Sequence, residues 1–274
     1  MKNIKEIIEN INLTLKNEFK KTLSVSKLNE YIKEPFDDVA KAEECYQKGL
    51  LNPAYKYAGM TVNDILTLWR NKANESKYYG NLLDNYADLY LNNDNTLNEW
   101  KITNNFDSDI RLKSTCTGVT QFYNNILEKT NYRYVAREIP LYYQYKDYKI
   151  NGRLDLLLYD ENTDAYIIID WKTTENITTK NYFNSFLLGP ASYLDECDMN
   201  LYTIQLHIYK LALVNTYKLT TPDKISVYVC NLLRKPYNDN YYKLYGQNFT
   251  YNEDLLNTFI EYGNKIFKEK QLNS

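Results

Sequence analysis

The stretch NGRLDLLLYDENTDAYIIIDWK, residues 151–172, places two aspartates inside runs that otherwise read as β-strands. Asp155 interrupts the first run, and Asp170 closes the apolar run that begins at Ala165. Aspartate is depleted in strands, and a carboxylate drawn into a protein interior is costly unless it is paired or bound to a metal. Between the runs lies Glu161–Asp164, a polar segment with the composition of a hairpin loop. With those residues as the loop, Asp160 pairs with Ala165. Counting outward then sets Asp155 opposite Asp170.

A second hairpin precedes this one. With Lys146-Asp147 as its turn, Tyr145 pairs with Tyr148 and Glu138 falls opposite Asp155. Lys-Asp is not the Asn-Gly or Asp-Gly that two-residue turns favour. Directly opposed residues have Cβ atoms about 4.5–5.5 Å apart, so a row of Glu138, Asp155 and Asp170 is unfavourable as structure alone. A divalent cation turns that repulsion into attraction, and hard oxygen ligands suit magnesium or manganese. Lys172 points to the Asp170 face and Trp171 to the other. Arg153 shares the Asp155 face and falls opposite Lys172. Acids for a cation beside bases for an anion suit hydrolysis of a phosphodiester. The competing reading, for each aspartate taken singly, is a solvent-facing charge in a surface salt bridge.

Outward from this hairpin pair, the first 105 or so residues read as mainly helical. Isoleucines at 4, 7, 8 and 11 line one face of a helix over residues 3–20. Ser24 or Ser26 caps the next, which Glu34-Pro35 stops. Helical patterns follow at 36–49, from Thr61 to Trp69 and over 76–92. After a helix near 115–130 come three strands, YRYVAREIPLYYQY, YKINGRLDLLLYD and AYIIIDWKT, which form an antiparallel meander. A helix LYTIQLHIYKLALVNTYK, a strand KISVYVCNLLRK, a candidate strand NYYKLYGQNF and a helix over 252–269 complete the pattern. The expected division is a mainly helical portion, 1–110, packed on an α/β core, 111–274, the two forming one compact unit.

The chain has 274 residues, 44% of them hydrophobic and 25% charged, enough for a sizeable core. A net charge of -2 argues against a generally basic nucleic-acid binder but says nothing of a local basic cleft. Cys45, Cys116, Cys197 and Cys230 are too scattered for a zinc site or a cysteine-held cluster, and no disulfide framework is expected. The amphipathic, acid-containing N-terminus is not a secretory signal, and no apolar run suits a membrane span, so a cytoplasmic location and no membrane partner are expected. His207, the single histidine, points away from Gln205 on its helix and reads as an ordinary helix residue. No Gly-rich phosphate loop is present, so any ATP-driven motor would be another chain.

Taken in order, Glu138, the G-x-x-D of Gly152–Asp155, the D-x-K-T of Asp170–Thr173 and the Q-x-x-x-Y of Gln205–Tyr209 resemble the PD-(D/E)xK nuclease superfamily, in particular its RecB-type, phage-exonuclease-like branch. SVSKLNEYIKEPFDD is similar to the S-x-S-x-L-x-x-Y-x-x-C-P opening of many relatives. Glu34 stands where iron–sulfur members carry a cysteine, so no iron–sulfur cluster is expected. Gly80–Asp84 resembles a G-x-x-x-H segment, with Asp84 in place of a metal-binding histidine; Asp84 is open between a ligand and an exposed helix acid.

The resemblance implies a restriction-endonuclease-like core, a mixed central sheet flanked by helices. It implies a Mg2+- or Mn2+-dependent deoxyribonuclease, of exonuclease type in phage or bacterial DNA recombination or processing, leaving a 5′-phosphate. Asp155 and Asp170 would hold the metal, with Asp84 and the Trp171 backbone carbonyl as further ligands. Lys172 would assist the water, and Glu138, Gln205 and Tyr209 would support. Arg153 and Thr173 are candidate DNA contacts. The partner is single- or double-stranded DNA, with a homo-oligomer or a recombination partner protein left open. The alternative is a catalytically inactive module of the same fold that binds DNA ends or a protein.

Overall fold

The computed structural model describes residues 4–128, 130–181, 184–246 and 249–272. In chain order these form α1 (Ile4–Leu15), β1 (Leu23–Ser24), α2 (Val25–Tyr31), α3 (Asp38–Leu51), α4 (Val62–Leu91), α5 (Leu97–Thr103) and α6 (Ile110–Tyr123). A π-helical turn, Asn124–Glu128, follows α6. Then come β2 (Tyr132–Tyr145), β3 (Tyr148–Asp160), β4 (Ala165–Lys172), α7 (Asp198–Asn215), β5 (Ile225–Tyr237), β6 (Asn240–Gly246) and α8 (Glu253–Leu272).

Two compact units result, Met1–Glu34 with Thr117–Ser274, and Pro35–Cys116. Residues before 35, expected with the helical portion, group with the sheet. The reason is visible in β1, where Leu23 and Ser24 pair in parallel with Ile150 and Asn151 of β3. Ser24 also accepts a hydrogen bond from the Lys27 amide, capping α2.

The sheet of the first unit runs β1-β3-β4-β5-β6, with β2 also on β3. The meander β2-β3-β4 is antiparallel, while β4 and β5 pair in parallel across α7. This is the mixed α/β architecture expected. Asp160 pairs with Ala165 and Tyr145 with Tyr148, so both loops have the lengths that the sequence suggested. Helix α7 is apolar nearly all round, with twelve buried residues, as suits a helix laid inside the core. It packs on the face formed by Leu157, Ile168, Val227 and Val229. On the opposite face Phe122 of α6 meets Trp171 and Tyr242, at centroid distances of 4.8 and 5.5 Å.

Besides a register shift between Tyr134 and Ala136, the alternation along the meander breaks once more. On β3, Ile150 and Leu154 belong to the α7-side core, but so does Leu157. On β2, Leu141 and Ile139 belong to it, but so does Ala136. Both strands therefore change phase between these residues, at Asp155 and Glu138. Because both slip together, the pairing sum is unchanged across the break, from Ile139↔Leu154 to Arg137↔Leu156.

In the second unit, α3 and α4 enclose Ala42, Cys45 and Ile65. Thr61 and Asp64 form a reciprocal cap at the start of α4. The expected helices at 61–69 and 76–92 are one helix of 30 residues. The polar link Arg70–Ser76 contains neither Gly nor Pro, and its Lys72, Ala73 and Glu75 are good helix formers.

Candidate active site

The β3–β4 ladder runs from Asp160↔Ala165 to Leu156↔Ile169 and goes no further. The next rung in that register would join Asp155 and Asp170. Instead, Asp155 Oδ2 accepts the Trp171 backbone N–H at 2.8 Å. A strand has two edges, and β2 follows one edge of β3 along its length. β1 at Ile150–Asn151 and β4 from Leu156 onward must share the other. Asp155 lies in the interval between them, where a side chain replaces the backbone partner.

Asp170 is 2% exposed. Its Oδ1 accepts a hydrogen bond from Gln205 Nε2 at 2.7 Å, and Lys172 Nζ lies 2.6 Å from its Oδ2. Burial and then the charge of Asp170 push the Asp155 carboxyl well above its ordinary range; Lys172 and the Trp171 amide pull the other way. For Lys172, burial works against the charged form, but Asp170 and Asp155 outweigh it and the amine pKa is raised. The three groups thus form one electrostatic unit with two carboxylates to a single ammonium.

Tyr209 is one turn beyond Gln205 on α7 and is buried. A Cβ on Gly152 would lie 2.4 Å from Tyr209 Cε1 and 3.1 Å from Val25 Cγ2. The glycine of G-x-x-D, the tyrosine of Q-x-x-x-Y and the start of α2 therefore meet in one contact that admits no side chain at 152. Burial, with Asp170 and Asp155 nearby, raises the Tyr209 hydroxyl pKa.

Glu138 falls opposite Asp155 in register, yet its backbone has φ 52°, the left-handed region. Its carboxylate meets Arg153 Nε at 2.8 Å and Arg137 Nη2 at 3.9 Å. The pair with Arg153 accounts for much of what strict alternation would have assigned to the metal row. Thr173 is half-buried directly after β4. Asp84 is half-buried on α4, in the other unit. Among the described residues, no three or more His, Cys, Asp or Glu side chains gather as a metal cluster.

Two neighbours of Lys172 had not been singled out from sequence. The Tyr202 ring centroid is 4.7 Å from Lys172 Nζ. Its signal was available, since Tyr202 precedes Gln205 by three residues and shares its helix face. Asn231 pairs with Lys172 across the parallel β4–β5 ladder and is 1% exposed. Nothing local announces that pairing, because a parallel register is set across a crossover. His207 is fully buried, with its ring against Phe249 and Tyr251. Four further cations each meet a carboxylate: Arg111 with Glu75, Lys113 with Asp107, Arg133 with Glu161 and Arg137 with Glu138.

A family model described as the PD-(D/E)XK nuclease superfamily matches residues 22–271. Among solved structures, the chain is similar to a candidate exonuclease from Eubacterium rectale, at 15% identity and a TM-score of 0.48, covering 94% of this chain and 84% of that one. It is also similar to the structure of SSO0001, at 11% identity and a TM-score of 0.39, covering 96% and 85%. No curated protein matches the sequence at a significant level.

Proposed function

Because the chain belongs to the PD-(D/E)XK nuclease superfamily, we propose that it is a Mg2+- or Mn2+-dependent deoxyribonuclease of exonuclease type, with Asp155, Asp170 and Lys172 at its centre. The observation that carries this reading is the open rung of the β3–β4 ladder, where two carboxylates and one ammonium meet around the buried Asp170. As structure alone the arrangement is costly, since like charges repel and burial penalises both. The donor set fits a hard divalent cation, which removes both costs at once.

Asp155 and Asp170 are the residues that would hold the cation, with the Trp171 carbonyl as a further oxygen. When bound, the cation stabilises charge on the phosphate and acidifies a water. Gln205 holds Asp170 through Oδ1, which fixes the direction of Oδ2. Lys172, kept charged by its neighbours, orients the water or neutralises the phosphorane. Tyr209 seals the floor over Gly152. Glu138 keeps Arg153 beside the site, where its exposed guanidinium suits the DNA backbone, and Thr173 offers a hydroxyl nearby.

A panel of 5′-tailed, 3′-tailed, blunt and circular DNA, with RNA as a comparison, tests the reading in Mg2+ and in Mn2+. Cleavage by wild type, lost in D170A and reduced to a residual rate in K172A, is expected. Products with 5′-phosphates released from ends and not from circles would support the exonuclease assignment. Tight binding of DNA with no cleavage of any form in either metal would replace the enzyme with a binding module.

A further inference from the structure

One of the neighbours of Lys172 is idle. Lys172 Nζ lies 2.6 Å from Asp170 Oδ2 and 4.7 Å from the centroid of the Tyr202 ring. Asn231 is its partner on β5, so the two side chains leave the same face of neighbouring strands about 4.8 Å apart. Asn231 is 1% exposed, yet its side-chain oxygen Oδ1 accepts no hydrogen bond. A buried acceptor without a donor is costly.

We infer that Asn231 and Tyr202 are positioning residues that form a second station for the Lys172 ammonium. The inference rests on the nuclease reading above. When Asp155 and Asp170 hold a divalent cation, the Asp170 oxygen beside Nζ is no longer free for Lys172, because two cations on one oxygen repel. The ammonium then needs acceptors within reach of its four-carbon stem. Asn231 Oδ1 is a buried oxygen with no other donor to serve. The Tyr202 ring offers the negative face of its quadrupole. Both are neutral, so they hold the amine without the full charge that would draw it from substrate. Aspartate at 231 would bind the ammonium outright and keep it.

Two measurements test this, one of them independent of catalysis. In protein labelled with 13C at lysine Cε, the Lys172 signal is identified by its absence from K172A. Its methylene protons are expected upfield in wild type and Y202F, and at the position of an ordinary lysine in Y202L. On Mg2+ titration without DNA, the Lys172 signal should move in wild type and not in N231L. With DNA, Y202L and N231L should lower kcat by about ten- to a hundredfold while KM stays within about threefold, and Y202F should recover the rate. Neither substitution should lower the residual rate further once Lys172 is alanine.

A Lys172 signal unmoved by Y202L overturns the inference, as does an equal loss of rate when N231L is added to K172A. Should N231L not fold, Y202L and its resonance carry the same decision. A wild-type protein that cuts nothing overturns the nuclease reading by itself, since the resonances still decide where the ammonium sits.

Discussion

Asp160 and Asp155 stand on the same strand and titrate in opposite directions. At the loop end, Asp160 Oδ2 accepts the Thr163 hydroxyl at 2.6 Å and Oδ1 accepts the Asn162 amide at 3.0 Å. The Thr163 hydrogen bond, opposed by burial and aided by backbone donors, lowers its pKa. At the other end, Asp155 has one amide donor and faces a second carboxylate, and burial pushes its pKa well up. Both are acids within a strand. One is answered by donors two and three residues away, and the other is left in debt to something the chain does not supply. A carboxylate in a strand is a functional signal only when its local donors do not satisfy it.

That contrast can be broken in order of effect. The largest difference is catalytic: D155N should lower DNA cleavage by about a thousandfold or more, on the scale of removing a principal charge-stabilising group. D160N should stay within about threefold in the same assay. Equal losses in the two variants would erase the distinction.

G152A comes next, because the added methyl meets the Tyr209 ring at 2.4 Å. Overpacking of this kind costs about 1–3 kcal/mol, read as a lower midpoint in urea. An unchanged midpoint would mean that Tyr209 moves freely, and that it is not the floor of the site.

Smaller effects separate the two aspartates by stability. T163V removes the main donor to Asp160 and should cost about 1 kcal/mol near neutral pH. A depressed carboxyl stabilises the fold above its unfolded pKa, and that contribution is lost as pH falls through the folded value. The T163V deficit should therefore shrink in acid. For Asp155 the sign is reversed. Its folded pKa is raised, so folding loses stability as pH rises from the unfolded value, about 3.9, through the folded one. In metal-free protein at neutral pH, D155N should gain about 0.2–1 kcal/mol from relieved repulsion. Thermal melts from pH 4 to 8 should show that gain fading in acid; a gain that persists at the lowest pH would contradict its electrostatic origin.

The hairpin pair that presents the candidate site could be read from residues 138–172 alone. The loop Glu161–Asp164 set the register, and its count survives: Asp160 does pair with Ala165. What strict period-two reasoning could not see is the phase change at Glu138 and Asp155. Two strands that slip together keep their pairing sum, so a register count passes over the break without notice. The same limit hid the turn of Glu138 toward Arg153, since a positive φ at a glutamate has no residue-type signature. Asn231 was illegible for a different reason. Its neighbour Lys172 is 59 positions away, on a strand joined only through a helical crossover. The continuity of α4 is hidden in the sequence because its middle is polar, although Lys72, Ala73 and Glu75 there are good helix formers.

The contact between Gly152 and Tyr209 carries a consequence for inheritance. Two motifs that look like independent letters are a single lock and its key. A side chain at 152 presses on the ring at 209 and more lightly on Val25, so its cost falls where the ring is absent. The two positions should therefore drift as one character, and a relative that has lost the tyrosine is where a side chain at 152 costs least.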